Sequence, residues 1–305
     1  MDKTYVDTVR LLLAAAPHVF HSARFALKGG TALNLFVREM PRLSVDLDLV
    51  YTDHRPSRED AMREISHELT ESKVRLDGIG IHTEFLRTKA GEEVKVLVQR
   101  GTIQVKVEVN FVFRGTVLPI QEQKLAHTAR ELFTTNMSLP LLAEAELYGS
   151  KLVAALDRQH PRDFFDVHGL FETTGLTPAI VECFVCYLSG HNRPIHEVLF
   201  SRDLDLSLPY ESEFQGMTRH EVKLEELLST RERLRRELPS MLTESQKLFL
   251  VGLVAGEPDW ELMGCTHLKD MPAIRWKQEN LMRLKKLNPA KFSFQSEELR
   301  RRLEA

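Results

Sequence analysis

The sequence predicts an α+β protein in which a sheet-forming domain, residues 1–140, is followed by a helical domain, residues 141–305. In the first part, Thr102–Phe113 alternates apolar and polar residues at every second position, which is the period of a strand. After about Leu141 the apolar residues recur at helical spacing, most clearly in Glu221–Glu237 and Glu244–Val254. Strands that precede helices, without regular alternation, are typical of this fold class.

The elements are predicted in order from periodicity and from end signals. Residues 4–20 have the apolar spacing of an amphipathic helix. A strand over Phe25–Leu27 and a helix over Thr31–Arg38 then follow. A second strand over Val45–Tyr51 precedes a helix over Ser57–Lys73 that is capped by Ser57. The strands Glu93–Gln99 and Thr102–Phe113 form a hairpin that turns at Arg100-Gly101. The second domain is predicted to continue with helices over Leu141–Asp157, Pro161–Phe171, Pro178–Leu188 and the two ranges given above.

Composition places the chain among globular proteins. Of its 305 residues 43% are hydrophobic and 28% charged, and the net charge is −3. The early apolar run Leu11–Ala16 is too short to span a membrane, so we expect a cytoplasmic protein. Three cysteines provide no disulfide framework. Cys183 and Cys186, with His191 and His196, have the spacing of a small zinc site, but the apolar sequence around the cysteines favours an ordinary buried helix.

Two aspartates are the strongest chemical signal. Asp46 and Asp48 alternate with Leu47 and Leu49, so a strand directs both carboxylates to one face. Carboxylates this close repel each other unless a cation lies between them. A divalent ion such as Mg²⁺, which binds one or two carboxylates together with phosphate oxygens, would meet that need.

A glycine pair supplies the second part of the pattern. Gly29-Gly30 lies between a predicted strand and a predicted helix, where the missing side chains let backbone N–H groups approach an anion. Thr31 would cap that helix or donate its hydroxyl to phosphate. Either feature alone is an ordinary turn or a solvated acid pair. Together they predict a metal and phosphate site.

Glu108 is a candidate third acid. It lies on the polar face of the strand Thr102–Phe113, which is also compatible with simple exposure to solvent. If this strand pairs with the one that contains Asp46, Glu108 would reach the metal.

At this point the residues resemble a known family. The segments Lys28-Gly-Gly-Thr-Ala-Leu33 and Arg42-x-Ser44-x-Asp46-x-Asp48, and Lys151 followed by Arg158, Arg162-Asp163 and Asp166, are similar to the AbiEii/AbiGii toxin family, which includes the MenT toxins. The resemblance implies a polymerase β-like nucleotidyltransferase domain with a mixed sheet, and a helical domain that completes the triphosphate site and binds the acceptor.

The resemblance also implies roles for individual residues. Asp46, Asp48 and Glu108 would bind the metal, and Asp163 would join them as a catalytic residue. The triphosphate would be bound by Lys28, Gly29, Gly30, Thr31, Arg42, Ser44, Lys151 and Arg158. Lys151 and Arg158 lie seven residues apart on one helix face, so both cations could reach one pocket. An i,i+4 ion pair would explain Arg162 and Asp166 without any catalytic role.

The function implied is that of a Mg²⁺- or Mn²⁺-dependent toxin of a bacterial toxin–antitoxin or abortive-infection system, with a cognate antitoxin. It would transfer a nucleotide from a nucleoside triphosphate to RNA, with the tRNA 3′ end as the expected acceptor, and so block translation. Residues 269–305 contain ten Lys/Arg against five Asp/Glu, which is compatible with RNA but equally with a solvated helix. Transfer to a small molecule or a protein side chain, and a catalytically silent binding module, are the alternatives.

Overall fold

The computed structural model describes residues 3–87 and 93–304. By its internal contacts the chain divides into two compact units. The first comprises Met1–Leu147 with Gln215–Glu221, and the second comprises Tyr148–Phe214 with Val222–Ala305. The predicted boundary at residue 140 falls inside a sheet strand, Ser138–Leu141, and the first unit therefore extends to Leu147.

The first unit is built on a seven-stranded sheet in the part of the chain that the structure describes. Its strands are β1 (Phe25–Lys28), β2 (Asp46–Tyr51), β3 (His82–Arg87), β4 (Glu93–Arg100), β5 (Ile103–Asn110), β6 (Gln121–Lys124) and β7 (Ser138–Leu141). They follow the order β3-β4-β5-β2-β1-β7-β6. Two pairs, β2 with β5 and β1 with β7, are parallel and the others are antiparallel, which confirms the predicted mixed sheet.

Helices of the first unit accompany this sheet, two of them in contact with its central strands and one with the edge strand β3. They are α1 (Lys3–Val19), α2 (Gly29–Ala32), α3 (Arg58–Asp77) and α4 (His127–Phe133). A π-helical turn, Leu33–Val37, continues α2 directly. The Ser57 cap of α3 is confirmed, because the Ser57 hydroxyl accepts a hydrogen bond from the Asp60 N–H at 3.1 Å.

Three strands were not predicted from the sequence, and each lacks a strong strand signature. β6 is a polar edge strand of sequence QEQK, and β7 contains Pro140, which is rare inside a sheet. In β3 the alternation of apolar and polar residues is too weak to distinguish this strand, in the sequence, from the long helix that precedes it. The predicted hairpin is confirmed, since β4 and β5 pair from Arg100↔Ile103 onward around Gly101.

The second unit consists of helices. The helix α5 (Glu144–Asp157) enters it at Tyr148 and leads to α6 (Pro161–Phe171), α7 (Pro178–Ser189), α8 (Ile195–Leu199), α9 (Ser207–Glu213), α10 (Leu224–Ser240), α11 (Glu244–Ala255), α12 (Pro272–Leu287) and α13 (Pro289–Leu303). Phe164, Phe184 and Phe249 are completely buried in its core. The predicted helical domain is confirmed, because the described elements of this unit are all helices and bury their apolar stripes in its core.

Candidate active site

Strand β2 presents its two aspartates as the alternation predicts. Leu47 and Leu49 are fully buried, whereas Asp46 and Asp48 are half-buried on the other face. In the sheet register Asp48 lies opposite Lys28 of β1 on one side and opposite Glu108 of β5 on the other. Residues in register on neighbouring strands share a face of the sheet. The condition set for Glu108, that its strand pair with β2, is therefore met.

The glycine loop packs directly against these residues. Gly29 has a left-handed φ of +75°, and a Cβ atom there would lie 2.2 Å from Oδ2 of Asp48. A Cβ on Gly30 would lie 2.7 Å from a terminal nitrogen of Arg42 and 3.0 Å from the Ser44 hydroxyl. The structure thus brings both glycines together with Asp48, Arg42 and Ser44. Only glycine permits this approach of backbone to side chains.

Thr31 differs from its predicted role as a helix cap. The helix begins at Gly29 with Lys28 as its N-cap, so Thr31 lies inside it. The left-handed Gly29 lets the chain pass from β1 into a helix without a separate capping turn. The Thr31 side chain is fully buried, and its hydroxyl donates a hydrogen bond to the Asp46 carbonyl oxygen at 2.5 Å. Since a hydroxyl carries one proton, Thr31 here fastens the glycine loop to the strand that carries the metal-binding candidates.

Two further features support the loop and were not recognised in the sequence. Asn34 is fully buried and donates from Nδ2 to the Gly30 carbonyl oxygen at 3.0 Å. The sequence signal for this contact is that Asn34 is a polar residue within the apolar run Leu33–Phe36. The segment Gln215–Glu221, distant in sequence, lies beside the residues that lead into β2. There the Leu43 N–H donates to the Met217 carbonyl oxygen at 2.8 Å. No local sequence pattern predicts this pairing of Leu43 with Met217.

Arg42 lies behind the glycine loop with only 2% of its surface exposed. Its guanidinium donates to the Leu43 carbonyl oxygen at 3.0 Å and lies next to Gly30. Burial at this position fixes a positive charge beside the backbone at which a phosphate is expected.

In the second unit, Lys151 and Arg158 converge on one aspartate. Asp163 is completely buried and accepts from Lys151 Nζ at 2.8 Å. Arg158 binds both oxygens of the same carboxylate, from Nε at 2.5 Å and from a terminal nitrogen at 2.8 Å. Asp166 completes the group with a contact to Lys151 at 3.1 Å. The two cations therefore meet on one carboxylate, and their binding of a triphosphate in one pocket stays a prediction.

The charges of this group are mutually compensated. Burial alone would raise the pKa of Asp163, but the attraction of Lys151 and Arg158 outweighs it and holds the pKa well below its ordinary value. The ion pair predicted between Arg162 and Asp166 does not account for Asp166, whose carboxylate contacts Lys151 instead. Arg162 reaches Glu213 at 3.8 Å. An acid on a helix can pair with a neighbour on the same helix or with a residue of another helix, and Asp166 pairs with the buried Lys151 of α5.

Comparison with known proteins identifies the family. The sequence model of the nucleotidyl transferase AbiEii toxins of type IV toxin–antitoxin systems matches residues 10–280. The chain belongs to this family. It is therefore a nucleotidyltransferase and a toxin of that type. Its fold is similar to that of the nucleotidyltransferase toxin MenT4 from Mycobacterium tuberculosis H37Rv, with a TM-score of 0.60 and 18% identity over 93% of this chain and 94% of the other. A search of curated proteins finds no match to this chain.

Nucleotidyltransferases of this kind generally use a divalent metal, and two carboxylates of this AbiEii toxin fit such an ion. Asp46 and Asp48 offer two carboxylates on one strand face, next to the loop Gly29-Gly30, which suits an ion that takes one or two carboxylates. The Glu108 carboxylate is instead paired with Lys95 at 3.0 Å. Among the described residues no group of three or more His, Cys, Asp or Glu side chains is arranged to hold a metal. The fit therefore rests on the aspartate pair, and Glu108 as a ligand stays a prediction.

The cysteines and histidines that have the spacing of a small zinc site lie in separate environments in this AbiEii toxin. Cys183 and Cys186 are buried in α7. His191 contacts Asp157 at 3.3 Å, and His196 packs edge-on against Phe294. Within the described ranges no helix is long and apolar enough to cross a membrane.

Proposed function

We propose that this toxin transfers a nucleoside monophosphate from a nucleoside triphosphate to RNA, with the tRNA 3′ end as acceptor, and that it blocks translation in this way. The observation that supports the nucleotide chemistry is the close approach of Gly29 to Asp48, because the loop that we propose for phosphate then lies against the carboxylate that we propose for the metal. The RNA acceptor is supported by family resemblance and by the exposed basic side chains described below.

The reaction is an in-line displacement at the α-phosphate. The acceptor hydroxyl oxygen forms a bond to the α-phosphorus and loses its proton to solvent, the bond from that phosphorus to the bridging oxygen breaks, and pyrophosphate leaves. Asp46 and Asp48 would hold Mg²⁺ or Mn²⁺, which when bound neutralises charge developing on the phosphate oxygens. The backbone of Gly29 and Gly30 orients the phosphates.

The other site residues hold the triphosphate in this scheme. Lys28, Arg42 and Ser44 lie at the glycine loop, where their polar groups bind phosphate oxygens or fix the loop. Lys151 supplies a further cation, and Arg158 and Asp163 set its charge and position. Binding and orientation account for most catalysis of phosphoryl transfer, since the protein supplies little covalent chemistry.

Exposed basic side chains of two C-terminal helices support an RNA acceptor. In α12 and at the start of α13 the exposed side chains include Arg275, Arg283, Lys285, Lys286 and Lys291. Cations exposed together supply the sequence-independent part of nucleic-acid affinity. Other basic residues of the region contribute less. Arg301 and Arg302, for example, are engaged by Glu298.

The deciding experiment combines pure protein, Mg²⁺, each α-labelled triphosphate in turn, and total RNA. We expect label in RNA from the wild type and none from Asp46→Ala or Asp48→Ala proteins that melt like the wild type. Label on protein or on a small molecule would reject the RNA acceptor. Full labelling by a folded Asp46→Ala protein would reject the metal role. Growth arrest on expression, relieved by Asp48→Ala, tests the toxin activity in cells, and unaffected growth would argue for a different role.

A further inference from the structure

The turn between α5 and α6 contains a strained residue. These helices end at Asp157 and begin at Pro161, and Gln159 between them has a φ of +49°. Residues with a Cβ adopt this left-handed conformation at a cost, and glycine would avoid it. Strain that persists in a buried turn next to a site is a reason to ask what the side chain does.

The amide of Gln159 is enclosed and fully used. The residue is 4% exposed. Its Nε2 donates to the Arg202 carbonyl oxygen at 2.5 Å and to the Ser201 hydroxyl at 3.4 Å. Its Oε1 accepts from the Leu204 N–H at 3.2 Å and from Arg231 at 3.4 Å. Both ends of the amide thus bind the link between α8 and α9, and glycine could not do this.

The neighbours of Gln159 connect it to the Lys151–Asp163 group, one as a member and the other as the cap of the helix that carries Asp163. Arg158, the preceding residue, binds both oxygens of Asp163. His160, the following residue, caps α6, because its Nδ1 accepts from the Arg162 N–H at 3.1 Å. The conformation of Gln159 therefore decides how Arg158 meets the helix that carries Asp163.

We propose that Gln159 is a positioning residue, which holds the turn that brings Arg158 onto Asp163 and thereby sets Lys151 for the triphosphate. This inference rests on the proposed role of Lys151 in triphosphate binding. Gln159 itself touches no substrate in this scheme and acts through the two charged residues beside it.

Calorimetric titration with non-hydrolysable α,β-methylene triphosphates and Mg²⁺ tests the proposal without any acceptor. Gln159→Gly keeps the left-handed backbone accessible and removes the amide. We expect its Kd to rise by about 10- to 100-fold with unchanged stoichiometry, because a misplaced cation loses its charge-assisted hydrogen bond to phosphate. Gln159→Glu keeps the length and the contacts with Leu204 and Arg231, and we expect a Kd between those of the wild type and Gln159→Gly.

Thr134→Gly is the matched control. Thr134 is an exposed residue at the end of α4 with a φ of +51°, so the substitution makes the same backbone change in the unit that does not contain Lys151. We expect wild-type affinity. A Gln159→Gly protein with lower stoichiometry and an unchanged Kd would show a merely structural role and overturn the proposal. Lys151→Ala separates the two claims: unchanged affinity in this variant rejects the role of Lys151 and the inference with it, whereas weakened affinity beside a wild-type Gln159→Gly rejects the inference alone.

Discussion

Replacing Gly29 by alanine should inactivate the enzyme through Asp48. The new Cβ would lie 2.2 Å from Asp48 Oδ2, closer than real Cβ contacts allow, so the carboxylate or the loop must move by about 1 Å. A displacement of about 1 Å at a reacting centre can reduce the rate by about 100-fold. The left-handed φ of +75° adds a conformational cost of about 1 kcal/mol for alanine.

Gly80→Ala separates these two effects. Gly80 has a nearly equal φ of +72°, and a Cβ there would meet nothing within 4 Å. Both variants should lose about 1 kcal/mol of stability and about 2–4 °C in Tm through the backbone strain that they share, and Gly29→Ala should lose more because its Cβ also displaces Asp48. Nucleotide transfer per folded molecule should fall only in Gly29→Ala. Equal transfer by the two variants, measured with Mg²⁺ and labelled triphosphate, would refute the close contact of loop and carboxylate as the basis of the site.

Three further outcomes are expected. Asp163→Asn should lower the free energy of unfolding by about 3–5 kcal/mol, because it leaves buried cations without their acid. Since the folded pKa of Asp163 lies below its usual 3.8, this loss, measured by urea unfolding against wild type, should stay constant from neutral pH to about 5 and shrink below about 4. Burial lowers the pKa of Lys277 from 10.5 to about 8, so the unfolded chain holds more protons between these values. The stability of the wild type relative to Lys277→Met should therefore rise with pH in that window, by up to about 3 kcal/mol, and a flat difference would contradict the assignment. If Glu108 binds the metal, Glu108→Gln should raise the Mg²⁺ concentration for half-maximal transfer and Lys95→Ala should lower it, since Lys95 competes for that carboxylate. Unchanged Mg²⁺ dependence in both would leave Glu108 as one half of a surface ion pair worth under about 1 kcal/mol.

Much of the fold follows from local patterns. The alternation around Asp46 and the helical spacing of Pro161–Phe171 each decide an element, because the period of buried residues must match the period of the backbone. The strand β7 shows the limit. Pro140 argues against a strand, and only the pairing of Leu141 with Leu27 and of Pro140 with Glu122 makes it one. Pairing partners far apart in sequence leave no local trace.

In the candidate site, too, some features follow from short sequence segments and others only from the folded chain. By itself the sequence determined that Asp46 and Asp48 share a face and that a glycine pair precedes them, since both are properties of short segments. Tertiary structure decided that Gly29 touches Asp48, that the Thr31 hydroxyl serves the Asp46 carbonyl rather than a helix end, and that Asp166 pairs with Lys151. Contacts of this kind depend on sheet register and on the meeting of helices. Their energies compete with local ones of similar size, so only the folded chain determines which partner each polar group takes.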